Sequence, residues 1–156
     1  MKYERILVAI DGSDGSKQAL ESAVELVGNS TKNLTLIHVF KGSMVTPVYG
    51  IAGVGYVNPE ILENELQETK MNERSQGETI LRNAKAEVES NNLNACVKTE
   101  LIEGDAAKTI CDYAELNHID LILIGERGLS GLKKLVLGSV SKKVTSDADC
   151  SVLVVK

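Results

Sequence analysis

Several features that would assign this chain to a well-known class are missing from its sequence. A formal net charge of −5 over 156 residues argues against a dedicated nucleic-acid-binding protein, because such domains are usually basic. No apolar stretch approaches the length of a membrane span, so we expect no membrane segment. No signal peptide is visible, and the three cysteines lack metal-ligand spacing. We therefore expect buried, reduced thiols in a cytoplasmic protein.

The common nucleotide-binding and catalytic signatures are also absent. The sequence contains no Gly-Lys dipeptide, which excludes a P-loop of the Walker type. The first apolar run ends in Asp11-Gly12-Ser13 instead of a Gly-x-Gly-x-x-Gly fingerprint. His38 and His118 have no nearby partner that would form a relay, and no Ser/His/Asp or Cys/His arrangement can be assembled. We predict structural roles for both histidines.

The sequence does contain a regular alternation of apolar runs of strand length with segments of helical periodicity. Strands are predicted at residues 5–10, 34–40, 95–102, 120–124 and Ser151–Val155. Helices are predicted after the turn at 11–16, over 59–90, after Gly104-Asp105 and over 139–146, although Gly77 disfavours one continuous second helix. This alternation predicts an α/β fold in one domain over residues 1–156, an open five-stranded parallel sheet with helices on both faces.

In such sheets ligands bind beyond the carboxyl ends of the strands, where the strand order reverses. The loops expected at this edge include 11–16, the irregular segment 41–58 after the second strand, and the segment 125–137. Two glycines, Gly125 and Gly128, follow the fourth strand, and a third, Gly138, opens a helix. A helix start offers unpaired N–H groups, and glycines let the backbone approach a ligand closely. The pattern therefore predicts a polyphosphate site.

The spacing Gly125-x2-Gly128-x9-Gly138-Ser139 resembles the nucleotide-binding signature of the universal stress protein family, in its ATP-binding branch. The resemblance covers nearly the whole chain, including the turn after the first strand and the closing strand. It implies a Rossmann-like fold of the adenine nucleotide alpha hydrolase type. It also implies ATP as the ligand, together with Mg²⁺ or Mn²⁺, and it leaves the residues that would bind the metal unknown.

The resemblance also implies roles for individual residues. The adenine would be held by main chain at Ala9, Ile10, Asp11 and Val39. Asp11 would contact the ribose, or a metal ion through a water molecule. Gly125 and Gly128 would pass close to the ribose and phosphates, and the charge of Arg127 could reach a phosphate. The phosphates would be bound, through N–H groups and hydroxyls, by Gly138, Ser139, Val140 and Ser141.

The function implied by the resemblance is that of a nucleotide-dependent regulator in the stress response, acting on an unknown protein partner. We expect a homodimer joined through Ser151–Val155, an apolar strand at the sheet edge. ATP is expected to order the segments 42–58 and 125–137. No general base is evident, so we assign no catalytic residue. Two alternatives stay open: a slow ATPase or autophosphorylating enzyme modified at a serine such as Ser139 or Ser141, and a nucleotide-free dimeric interaction protein.

Overall fold

The computed structural model describes residues 3–28, 32–42, 59–91, 96–129 and 137–156. Within these ranges the elements are β1 (Arg5–Ala9), α1 (Asp14–Val27), β2 (Asn33–Phe40), α2 (Pro59–Ser90), β3 (Cys96–Glu103), α3 (Ala106–Leu116), β4 (Leu121–Gly125), α4 (Ser139–Asp147) and β5 (Ser151–Val155). Every predicted strand is present, with ends shifted by at most one residue. The predicted loop at 43–58 and residues 130–136 of the predicted phosphate loop lie outside the described residues.

The strands form one parallel sheet in the order β3-β2-β1-β4-β5. The chain moves outward from β1 through β2 to β3 and then returns to place β4 on the other side of β1. The α/β class and the open five-stranded parallel sheet are thus confirmed. The strand order reverses between β1 and β4, which is where sheets of this kind bind their ligands. None of the helices in the described ranges is both long and apolar enough to cross a membrane.

The core has two layers, one on each face of the sheet, because successive strand residues point to opposite faces. Ile6 and Val8 of β1 belong to the layer that packs beneath α1 and α2. Leu7 and Ala9 belong to the layer beneath α3 and α4. β1 and β4 are covered on both sides, which explains why each is an unbroken apolar run in the sequence.

The helix α2 is continuous over 32 residues although it contains Gly77. A Cβ atom at Gly77 would lie 2.6 Å from Cδ1 of Leu101 and 2.7 Å from Cδ2 of His38. Glycine is therefore required for the helix to approach the sheet this closely. Packing of the helix on β2 and β3 offsets the helix-propensity cost of about 1 kcal/mol that glycine carries.

Asp120 ties the start of β1 to the start of β4. Its Oδ2 accepts hydrogen bonds from the backbone N–H groups of Arg5 at 2.8 Å and Glu4 at 3.0 Å. The hydrogen bond from Arg5, followed by that from Glu4, holds the pKa of the Asp120 carboxyl below its ordinary value. The carboxylate thus closes the amino end of the central strand pair.

The cysteines are unpaired, but they are not all buried. Cys96, at the start of β3, is exposed, so the expectation of a buried thiol is wrong there because β3 is an edge strand. Cys111 and Cys150 are partly buried, and this burial raises the pKa of both thiols. Both groups are therefore kept in the protonated, weakly nucleophilic form.

Candidate functional site

A cavity of about 190 Å³ lies at the carboxyl ends of β1, β2 and β4, at the reversal of strand order. The structure brings every residue of the predicted site to its walls: Ala9, Ile10, Asp11, Val39, Gly125, Arg127, Gly128, Gly138, Ser139, Val140 and Ser141. Ser16, Leu129 and four apolar residues complete the lining, Ile37, Ala106, Ile110 and Ile124. The ligand-binding role of these residues stays a prediction. Their convergence on one cavity is a property of the fold.

The carboxylate of Asp11 is oriented by the first turn of α1. Its Oδ1 accepts hydrogen bonds from the N–H of Ser13 at 2.9 Å and from the hydroxyl of Ser13 at 2.5 Å. Ser13 itself is the N-cap of α1 and accepts from the N–H of Ser16. Asp11 is therefore not the cap of this helix. Its other oxygen, Oδ2, occupies the position where a Cβ atom on Gly128 would collide with it.

The loop after β4 lies directly on the start of α1. A Cβ atom at Gly125 would lie 2.5 Å from the carbonyl carbon of Gly15 and 2.6 Å from its oxygen. A Cβ atom at Gly15 would in turn collide with the carbonyl oxygen of Arg127. Because these are backbone atoms, they cannot rotate out of the way. Gly125 thus has a packing role in this fold that does not depend on any ligand.

The helix α4 begins at Gly138, which makes no side-chain cap hydrogen bond. The N–H of Gly138 donates to the carbonyl oxygen of Glu126 at 2.9 Å. Within the described ranges, no acceptor is bound to the N–H groups of Ser139 and Val140, and both residues line the cavity. Free N–H groups and the positive end of the helix dipole make this first turn suitable for an anion.

The two serines of the first turn of α4 differ in what their hydroxyls can do. Ser141 is 2% exposed, and its hydroxyl lies 2.9 Å from the carbonyl oxygen of Glu126 and 3.0 Å from that of Gly138. A hydroxyl has one hydrogen to donate, and a phosphate needs donors. The Ser141 hydroxyl is therefore committed to the protein, which leaves the main-chain N–H for a phosphate. Ser139 is exposed, so its hydroxyl is available.

Arg127 lies in the cavity wall and forms an ion pair with the preceding residue, Glu126. Its Nη2 lies 3.2 Å from Oε2 of Glu126, the preceding residue. Arg127 is among the residues that line the cavity, but its guanidinium group is already partly neutralised by Glu126. Its contribution to anion binding would require exchange of this ion pair for a new one.

A model of the universal stress protein family matches residues 2–156. The chain belongs to this family. It is similar to universal stress protein YxiE of Bacillus subtilis, with 36% identity over 154 residues and 99% of each chain covered. Two solved structures are also similar to it. Universal stress protein UspA from Lactobacillus plantarum has a TM-score of 0.81 at 29% identity, with 100% of this chain and 99% of that chain covered. MJ0577 of Methanocaldococcus jannaschii has a TM-score of 0.82 at 26% identity, with 100% and 97% covered. The predicted family and fold are confirmed.

In this universal stress protein one residue next to the site makes a contact that sequence reasoning missed. His38 is 9% exposed, and its Nδ1 lies 2.7 Å from the carbonyl oxygen of Ile10. The N–H of Ile10 donates to the carbonyl oxygen of Ile37 at 2.9 Å. Both main-chain groups of Ile10 are therefore engaged within the protein. A histidine near the carboxyl end of the mostly buried strand β2 was the signal that could have indicated this contact.

The described residues of this universal stress protein contain no cluster of three or more His, Cys, Asp or Glu side chains that could hold a metal ion. Mg²⁺ commonly binds through one or two carboxylates together with substrate phosphates. Asp11 lines the cavity and provides one such carboxylate. The residues present thus fit a cation that arrives with a nucleotide better than a resident metal centre.

Proposed function

We propose that this cytoplasmic universal stress protein binds ATP in the cavity between β1 and β4 and acts as a nucleotide-dependent regulator in the stress response. The observation that carries the proposal is the convergence of every predicted nucleotide-site residue on one cavity at the reversal of strand order. Binding would change the surface shown to a protein partner.

The two ends of the cavity match the two parts of a nucleotide. Ile37, Ile110 and Ile124 provide an apolar wall for a planar base, and the first turn of α4 provides N–H groups for phosphates. At about 190 Å³ the cavity is smaller than ligand pockets of roughly 300–1,000 Å³. It is therefore too small to enclose a whole ATP molecule, and part of the nucleotide would lie outside it.

Two solved proteins with this fold support an adenine nucleotide as the ligand. A universal stress protein from Archaeoglobus fulgidus was solved in complex with dAMP, at a TM-score of 0.64 and 20% identity. Another universal stress protein was solved in complex with cAMP, at a TM-score of 0.65 and 21% identity. At these identities the likeness is one of fold. It supports the capacity of the fold to hold an adenine nucleotide, and the glycine spacing of this chain extends the proposal to ATP.

The arrangement supports binding better than catalysis. Hydrolysis of ATP requires a group that orients the attacking water and stabilises the developing charge. Asp11, the carboxylate of the cavity wall, has one oxygen bound by two donors of Ser13. When bound, ATP would bring Mg²⁺ or Mn²⁺ to neutralise its phosphates. The residues of the chain would hold the base, the ribose and the phosphates and orient the cation through Asp11.

We further propose that two copies pair through β5. This strand lies at the sheet edge beside β4, and Leu153 at its centre is 39% exposed. The opposite edge strand, β3, instead carries an ion pair between Lys98 and Glu100 at 2.6 Å, and charges of this kind protect a sheet edge from pairing. Val152→Glu and Val154→Glu should therefore give monomers in size-exclusion chromatography, whereas Lys98→Glu should leave the dimer intact. A dimer that survives both valine substitutions would contradict this arrangement.

The nucleotide proposal is tested by titrating ATP and Mg²⁺ into nucleotide-stripped protein, after any nucleotide released from freshly purified protein has been identified by mass. We expect saturable binding that Gly138→Val abolishes, because the new side chain would enter the first turn of α4 beside the carbonyl oxygen of Glu126. Thr145→Val introduces the same side chain into the same helix outside the cavity wall and should bind normally. Absence of binding in the unmodified protein would favour the nucleotide-free interaction protein.

A further inference from the structure

The hydrogen-bond ladder between β1 and β2 is interrupted at the cavity. The N–H of Ile10 donates to the carbonyl oxygen of Ile37 at 2.9 Å, as a parallel ladder requires. The next ladder bond would run from the N–H of Val39 to the carbonyl oxygen of Ile10. That bond does not form between these two described residues, and the carbonyl of Ile10 accepts a hydrogen bond from Nδ1 of His38 at 2.7 Å.

The unpaired main-chain groups of Val39 face the cavity. Main-chain groups of successive strand residues point to alternate neighbours. The carbonyl of Phe40 accepts from Gly104, which follows β3, whereas the carbonyl of Ile37 accepts from the β1 side. Val39 therefore presents its N–H and carbonyl towards the β1 side, just beyond the last paired residue of β1, and it lines the cavity. No residue in the described ranges pairs with either group.

The imidazole of His38 is held in place from the opposite side. Gly77 of α2 approaches it so closely that a Cβ atom there would lie 2.7 Å from Cδ2 and 3.2 Å from Nε2. Because a carbonyl oxygen only accepts hydrogen bonds, Nδ1 must carry the hydrogen in its contact with Ile10. The ring is thus fixed between the helix and the strand end.

We infer that His38 is a positioning residue for base recognition: its hydrogen bond to the carbonyl of Ile10 fixes the end of β1 in a position that leaves Val39 as a free donor–acceptor pair in the cavity. The inference rests on the proposed function and adds a physical reason why the site would prefer adenine to guanine. The Watson–Crick edge of adenine offers a ring-nitrogen acceptor beside an amino donor, which complements one N–H and one carbonyl. Guanine offers a ring N–H and a carbonyl at the equivalent positions, so the pairing would set donor against donor. Sites built to hydrogen-bond a ligand discriminate strongly against such mismatches.

The inference is tested by replacing His38 with leucine, which has no donor, and with asparagine, whose amide nitrogen can take the place of Nδ1. Binding of ATP, GTP and inorganic tripolyphosphate is measured by calorimetry. In His38→Leu, the end of β1 loses the hydrogen bond that fixes it and is free to shift towards Val39, so we expect ATP affinity to fall about three- to tenfold. The ratio of ATP to GTP affinity should narrow, and tripolyphosphate binding should not change. His38→Asn should retain the ATP preference. Unchanged affinity and preference in a folded His38→Leu variant would overturn the inference.

Hydrogen exchange of the ligand-free protein provides a test that does not depend on nucleotide binding. The amide of Val39 should exchange much faster than that of Ile37, which is paired within the β1–β2 ladder. Equal protection of both amides would overturn the inference even if His38→Leu failed to fold. If the unmodified protein bound no ATP, the proposed function would fail and base recognition by Val39 with it, while fast exchange at Val39 would still show that its N–H is free of the β1–β2 ladder.

Discussion

Replacing Gly77 with alanine sets two effects against each other in the same helix. Alanine is favoured over glycine by about 1 kcal/mol inside a helix, which would stabilise α2. The new Cβ atom would, however, lie 2.6 Å from Cδ1 of Leu101 and 2.7 Å from Cδ2 of His38. Leu101 can rotate away, but the imidazole is tied to Ile10 by its 2.7 Å hydrogen bond. Overpacking of a core costs about 1–3 kcal/mol. We therefore expect Gly77→Ala to lower the free energy of unfolding by about 0–2 kcal/mol, the overpacking cost minus the propensity gain.

The measurement is urea unfolding followed by circular dichroism, with Ser75→Ala as the matched control. Ser75 is exposed on the same helix, so its replacement changes helix propensity without a steric clash. We expect that control to be stabilised by up to about 0.5 kcal/mol. The reasoning would be refuted if Gly77→Ala were more stable than the unmodified protein by the full propensity gain, because the helix could then not lie against a fixed ring.

Three further substitutions test other contacts. Gly128→Ala should displace the Asp11 carboxylate and weaken ATP binding about tenfold or more in calorimetry; unchanged affinity would show that Asp11 does not face the nucleotide. Asp120→Asn should cost about 1 kcal/mol at neutral pH, because it removes the charge stabilised by the N–H of Arg5. Since the folded pKa of Asp120 is depressed, this difference should be complete above the unfolded carboxyl pKa of about 4 and vanish as the pH falls through the folded value. Urea midpoints of both proteins across that range check the sign, and a pH-independent difference would contradict it. Ser141→Ala should cost about 1 kcal/mol and weaken ATP and ADP equally, because its hydroxyl positions the backbone; a loss confined to ATP would show that the hydroxyl contacts the terminal phosphate.

The features that could be predicted from sequence are those with a local signal. β1 and β4 are buried on both faces, so they appear as unbroken apolar runs whatever their neighbours are. The alternation of strands and helices then implies a parallel sheet, and a parallel sheet implies a ligand edge. The glycines near 125 and 138 could therefore be placed at that edge from the sequence alone.

The features that could not be predicted depend on which groups from other parts of the chain a side chain contacts or hydrogen-bonds. Ser139 and Ser141 are two positions apart and chemically identical in the sequence, yet one is exposed and the other is bound to the carbonyl of Glu126, 15 residues earlier. The hydrogen bond of His38 could not be predicted because its partner, Ile10, lies 28 residues away. In the sequence Gly77 only disfavours a continuous helix, because the imidazole ring that it accommodates belongs to His38 of β2. Hydrogen-bond partners and close contacts of this kind are decided by the tertiary structure.

The bridge from Asp120 to the start of β1 has a consequence for the order of folding. It joins positions 115 residues apart in the chain, and the two strands it joins are also the walls of the cavity. Contacts across so long a separation carry a high loop-closure entropy and slow the folding reaction. The cavity therefore exists only after β1 and β4, which lie far apart in the chain, have paired, and a ligand bound there adds its binding free energy to the native state alone. Occupancy of the cavity would thus report completion of the sheet, and a chain arrested before that step would be without its ligand.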